Sequence, residues 1–302
     1  MNSIATQQNS AKQLERLAAQ RRLYSTAKVI VAAQAWVAGP IAVALAFISL
    51  KYPSLRGPFA VWAFLVVIAD LAWLTPWQKR LRDSAAKIQE LFDCDVLEPP
   101  WNDLKGGTRP DPELVREQSA RAGGVTIDPP LENWYSPASA DLPLRVARVA
   151  CQRSNCWWDS KQRRRYAVAV LTATCVVVVT IFCVGMVQHV TLEDFVVQAL
   201  VPALPILLLG YRQITEQLEA ARRVERLKDH AKRLWDEVVS GMTVAASTRA
   251  SRNLQDEILE SRARSPLVFD FVFKLLRDDF ETQMNYGVAQ LAEEALKKLR
   301  NG

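Results

Sequence analysis

An all-α, polytopic membrane protein with two transmembrane helical hairpins and a cytosolic helical module is the fold class this sequence predicts, on three observations. Four strongly apolar stretches, 29–50, 59–77, 166–188 and 192–211, are each close to the ~20 residues a helix needs to cross the hydrocarbon core of a bilayer. None of the four contains Lys or Arg, and Asp70 is the one carboxylate deep inside a stretch, since Glu193 and Asp194 stand at the edge of the fourth. A soluble core helix shows one apolar stripe, whereas 176–179 and 204–209 are apolar on every side.

The chain average conceals this division. A mean hydropathy of -0.02, 23% charged residues, a net charge of +6 and a pI of 9.1 would suit a soluble protein, yet almost all Lys, Arg, Asp and Glu lie outside the apolar stretches. The basic excess reads as topology rather than nucleic-acid binding, and no DNA partner is expected: Lys and Arg beside spanning helices stay cytoplasmic and attract anionic headgroups of the lipid bilayer. Lys12, Arg16, Arg21, Arg22 and Lys28 precede the first stretch; Lys79, Arg80, Arg82 and Lys87 follow the second. Arg163, Arg164 and Arg165 precede the third, and Arg212, Arg222, Arg223 and Arg226 follow the fourth. The links within each pair hold only Lys51 and Arg56 in one case and no Lys or Arg in the other. Both termini and the central region are therefore expected in the cytoplasm.

In chain order, residues 1–28 form an N-terminal cytosolic amphipathic helix, too long and polar for a cleaved signal. Residues 29–77 form the first hairpin, turned by Pro53, Gly57 and Pro58. Residues 78–165 are a cytosolic insert that starts with a helix burying Leu81, Ile88, Leu91 and Phe92, then passes through Pro- and Gly-rich loop from 98 to 143. A short helix there has Asp111 as N-cap and Pro112 at its first position. A basic helix capped by Asp141 then sets Leu142, Val146 and Val149 on one face and Arg145, Arg148 and Gln152 on another. Residues 166–211 form the second hairpin. In the C-terminal helices, 212–302, Val224, Leu227, Ala231, Leu234 and Val238 step by three and four as a coiled-coil seam does. Gly241 weakens that helix, Ser265-Pro266 starts another, and Phe280, Met284, Val288, Leu291, Ala295 and Leu299 share a face of the last.

Two groups of residues stand out for function. A carboxylate at mid-membrane costs roughly 2.5–3.5 kcal/mol on insertion scales, so Asp70 needs compensation. It is read either as a pore or inter-helix polar contact with Gln34 or Gln198, or as a protonated carboxyl that holds the helices together. Gly39-Pro40 and Pro202 with Pro205 place weak points in two stretches. So few polar residues cannot line a water-filled hole from one copy, and a pore requires a homo-oligomer. The second group is Arg145, Arg148, Arg153, Asn155, Trp157 and Trp158, where tryptophans beside arginines and an asparagine can stack a base and grip a phosphate. The other reading makes Trp157, Trp158 and Tyr166 interfacial anchors and the arginines topology signals. No metal site, cofactor, disulfide or catalytic group is expected. Cys151 and Cys156 lack C-x-x-C spacing, the histidines are His189 and His230, and neither G-x-S-x-G nor H-E-x-x-H occurs.

Several segments carry a family resemblance: 23–28 (LYSTAK), 92–102 (FDCDVLEPPWN), 134–137 (WYSP), 151–159 (CQRSNCWWD) with Arg165-Tyr166, and 253–258 (NLQDEI) through Arg262, with Arg277, Glu281 and Met284 beyond. The chain resembles the pore-forming four-transmembrane effectors associated with SMODS-type nucleotidyltransferases in bacterial anti-phage defence. The resemblance implies a bacterial inner-membrane protein that senses a cyclic oligonucleotide second messenger and breaches the membrane of the infected cell. Rival readings are a membrane-anchored scaffold that recruits a partner, a lipid hydrolase and a transporter.

Overall fold

A computed structural model describes residues 2–42, 44–45, 48, 52–123, 131–187, 191–196 and 201–301. Among these every regular element is helical. Helix α1, Ala11–Trp36, follows Ser10 in extended conformation and buries Leu14, Leu17, Leu23, Ala27 and Ile30 at helical spacing. It continues into a π-helical turn, Val37–Ile41. Pro40 lies inside that turn: it has no N–H to donate, and the wider turn accommodates its ring.

Helix α2, Arg56–Ala69, passes through a second π turn, Asp70–Leu74, into α3, Thr75–Leu97. Glu98 ends α3 in the left-handed region at φ 59°, and Pro99 and Pro100 cannot continue it. Asp111 takes the N-cap position of α4, Pro112–Arg121, with extended backbone but no side-chain cap bond. The basic helix begins at Leu144 rather than at Asp141, because 137–141 form a 3-10 turn and the Pro143 carbonyl accepts from the Val146 and Ala147 amides.

That helix, α5, runs unbroken from Leu144 to Val187, 44 residues, and α6 runs from Val201 to Val239, 39 residues. At 1.5 Å per residue they are about 66 and 58 Å long, twice the ~30 Å of a bilayer's hydrocarbon core. Each therefore serves two environments. Gly241, at φ +105°, separates α6 from α7, Val244–Arg264, whose N-cap Thr243 accepts from the Ala246 amide at 3.3 Å. The last helix, α8, spans Asp270–Asn301. It starts four residues beyond Pro266, and three side chains hold the carbonyls of the 265–267 connector. Arg82 donates to Ser265 O (3.2 Å), Arg163 to Pro266 O (2.7 Å) and Gln217 to Leu267 O (2.9 Å).

One end of the molecule is a helical bundle with a continuous core. Leu14, Leu17, Phe92, Val96, Tyr135, Val146, Val149, Val224, Ala231, Leu234, Trp235, Val238, Leu254, Ile258 and Leu291 meet there. The 224–238 seam is thus filled by this chain's own helices. The other end wears its apolar side chains outside, with Phe64, Leu71, Trp73, Val176, Val179, Phe182 and Leu208 exposed. Gly57–Leu97 and Leu144–Cys183 are, among the described residues, long and apolar enough to cross a membrane. The first and fourth apolar stretches each include residues outside the described set, as do Gln198 and His189. Helices α5 and α6 are in tight contact at Gly210, where a Cβ would overlap Thr174 Oγ1, and Gly39 sits against Ile206 of α6.

Candidate functional site

Just below the apolar end the bundle encloses a cavity of ≈ 260 Å³. Helix α1 supplies Arg21, Tyr24 and Lys28; the 131–135 segment supplies Trp134; and α5 supplies Asn155, Cys156, Trp158, Asp159 and Arg163. Val224 and Leu227 of α6, Ile258 and Arg262 of α7, the 265–268 connector, and Arg277, Glu281 and Met284 of α8 complete the wall. Five cations therefore face three carboxylates, Glu132, Asp159 and Glu281. Two of those are already engaged: Asp159 pairs with Arg163 at 2.9 Å and Glu281 with Arg277 at 3.3 Å. Burial pushes the Tyr24 hydroxyl up to about 12, although Arg262 and Arg163 act against the rise. Burial likewise raises the Cys156 thiol to about 12, so it stays protonated and unreactive at neutral pH.

A buried polar network lies behind the cavity. Asp93, wholly buried, accepts from Arg262 Nη1 (2.6 Å), the Tyr135 hydroxyl (2.6 Å) and Gln255 Nε2 (2.8 Å). Glu90 accepts from Arg252 Nη2 (2.7 Å) and from the same Gln255 amide (2.8 Å). Arg252 also pairs with Asp256, which accepts from Asn102 at 2.8 Å. Burial and the neighbouring Asp93 raise the Glu90 pKa. Burial alone would lower that of Arg262, but Asp93, Tyr135 and Glu90 together outweigh it and the net shift is upward. The network ties α3 to α7 across more than 160 positions of sequence, and Arg262 and Tyr135 belong to both network and cavity.

The six residues expected to sense a ligand separate in the structure. Asn155 and Trp158 line the cavity. Trp157 and Trp158 both set their rings edge-on to Phe280 of α8, with centroids at 6.0 and 5.7 Å. Arg145 donates to the Met242 carbonyl at 2.7 Å, and Arg148 is buried with donations to the carbonyls of Leu97 and Glu98, so these two close the far end of the bundle. Arg153 has its pKa lowered by burial, with Asp229 and Glu294 in partial compensation. The cavity residues missing from that set are Tyr24, Lys28, Trp134, Arg163 and Arg262. Arg163 and Lys28 read in the sequence as topology charges, and Tyr24, Trp134 and Arg262 stand out there only within the segments that carry the family resemblance. In the apolar end, Gln34 Nε2 donates to Asp70 Oδ1 and reaches Thr75 Oγ1 at 3.3 Å, while the Thr75 hydroxyl lies 3.5 Å from both Asp70 oxygens.

A profile of the SMODS-associating 4TM effector domain matches residues 2–291. The chain belongs to that family. The resemblance carried by segments 23–28, 92–102, 134–137, 151–159 and 253–262 is thereby borne out, and in this SMODS-associating 4TM effector those segments supply much of the cavity wall and of the network behind it. A relative described as a probable CBASS effector molecule, from Bacillus cereus (strain VD146), is 24% identical over 283 residues, which cover 92% of this chain and 94% of the relative. No solved structure matches. Membership of a 4TM family, together with two long helices whose apolar side chains face outward, makes the chain a membrane protein.

Proposed function

We propose that the chain is a membrane effector of a bacterial anti-phage system of the CBASS type. Its cytosolic module senses a cyclic oligonucleotide, copies of the chain assemble, and the spans open a pore in the inner membrane. In this reading 29–77 and 166–211 are two transmembrane hairpins and both termini are cytoplasmic. The module is built from 1–28, 78–165 and 212–302, and Asp70 with Gln34 forms a polar contact within or between copies. The observation that carries the reading is the continuity of α5, which forms one wall of the cavity and then, without a break, an apolar segment long enough to cross a bilayer. The description of the Bacillus cereus relative as a probable CBASS effector supports it from a second direction.

The energetics set a condition on any such ligand. Moving a population from 1:99 to 99:1 open takes about 5.5 kcal/mol of preference for the open assembly, and tight binding without that preference opens nothing. The purified chain in liposomes is expected to release trapped dye when a cyclic oligonucleotide is added and to hold it otherwise. A membrane that stays sealed with every such nucleotide would favour a scaffold instead, and new lysolipid or free fatty acid would mark a lipid hydrolase.

A further inference from the structure

The Arg262 side chain is nine-tenths buried, lines the cavity, and gives Nη1 to Asp93. Its Nη2 is buried with no hydrogen-bond partner among the described residues. A guanidinium has five donors in a planar fork that matches the oxygens of a phosphate, and an unfilled buried donor is costly to maintain. The charge around it has the same sense. Five cations line the space against three carboxylates, and with Asp93 behind Arg262 included the cations still outnumber the carboxylates, so the lining favours an anion. Trp158, Trp134 and Tyr24 add aromatic rings to the lining from three elements, while Asn155 adds an amide, a group able to read the polar edge of a base. An acyl chain would leave Arg262 Nη2 and the Asn155 amide unmet, and inorganic phosphate alone would leave the aromatic walls bare.

We propose that this cavity is a nucleotide site in which Arg262 Nη2, with Lys28, takes a phosphate and Trp158 with Asn155 takes the base attached to it. This rests on the functional reading above and locates its sensor away from Arg145, Arg148 and Arg153. At ≈ 260 Å³ the space falls just below the roughly 300–1,000 Å³ of ordinary ligand sites, so it suits one nucleotide unit rather than a whole cyclic oligonucleotide. A cyclic oligonucleotide would seat one base and phosphate inside and leave the rest of its ring at the exposed mouth beside Glu132 and Asn133.

The test is equilibrium binding to the full chain in nanodiscs, with 3′,5′-linked cyclic di- and trinucleotides and with inorganic pyrophosphate, alongside dye release from liposomes. Wild type is expected to bind one of the cyclic nucleotides saturably and pyrophosphate far more weakly. Trp158→Leu and Lys28→Gln should each weaken that binding by about ten-fold or more, the scale of one lost stacking or phosphate contact. Arg262→Gln should abolish it. Because Arg262 also supports the core, the half-buried Lys28 and Trp158 carry the decision if that variant does not fold. Arg145→Ala, far from the cavity, should bind as wild type does. Unchanged affinity in Trp158→Leu and Lys28→Gln, or pyrophosphate binding as tightly as the nucleotide, overturns the site even if liposomes leak. Affinity lost in both variants, with wild-type liposomes staying sealed, upholds the site and refutes the pore. Failure of every cyclic nucleotide to bind wild type refutes both.

Discussion

The two ends of this molecule are built on opposite plans. The bundle hides charge: Glu90, Asp93, Arg252 and Arg262 lie in its interior, each matched by named partners at 2.6–2.9 Å. The apolar end shows hydrocarbon outward and, among the described residues, keeps a small polar cluster of Asp70, Gln34 and Thr75 between its helices. The difference follows from the surroundings of each. In water, apolar burial drives collapse, and the buried ions fix which helix meets which. In lipid there is no such drive between helices, so close packing at Gly210 and a few polar contacts must specify the arrangement.

The sharpest way to break this contrast is Asp93→Ala. It strands the buried Arg262 guanidinium and the Tyr135 hydroxyl, and should cost about 3–5 kcal/mol in thermal or denaturant unfolding of the solubilised chain. A smaller effect should appear with pH. Burial raises the Glu90 carboxyl above its value in the unfolded chain, near 4.5, so the folded state holds that proton more strongly. Its stabilising contribution is therefore complete below pH 4.5 and is lost as pH rises through the higher folded value. Glu90→Gln should flatten the fall in unfolding midpoint above pH 4.5 relative to wild type. The smallest effect belongs to the apolar end. Gln34→Leu removes the donor to Asp70 and should cost only ~0.6 kcal/mol, with ~1.7 as an upper bound for such contacts in a membrane, read as helix dissociation in mild detergent. A Gln34→Leu loss as large as that of Asp93→Ala would erase the distinction between the two ends.

How far the fold could be read beforehand differed between local and distant features. Val146 with Val149, and Phe280, Met284, Val288, Leu291 and Ala295, are buried as their helical spacing predicts, because helical period is a local property; Leu142 is buried too, but from extended backbone ahead of α5. The break at Gly241 is equally local. The starts of α5 and α8 are displaced from Asp141 and Pro266, and the partners of the backbone ahead of α8, Arg82, Arg163 and Gln217, come from 50 to 183 positions away. The same distance hides the cavity. Asn155 and Trp158 stand out by chemistry, but Arg145, Arg148 and Arg153 share that chemistry and face other helices. The partners that bring Arg262 to Tyr24 lie on α3, and no single sequence shows that pairing.

The 265–267 connector stands like a tabletop on three legs. Arg82, Arg163 and Gln217 each come from a different helix, and each helix continues into an apolar segment. With charge-assisted hydrogen bonds of roughly 1.5–3 kcal/mol in two of the legs, shifting that short loop means either snapping a leg or dragging the foot of a rod that reaches the lipid. Slack is absent at this joint, so displacement on one side is delivered to the other.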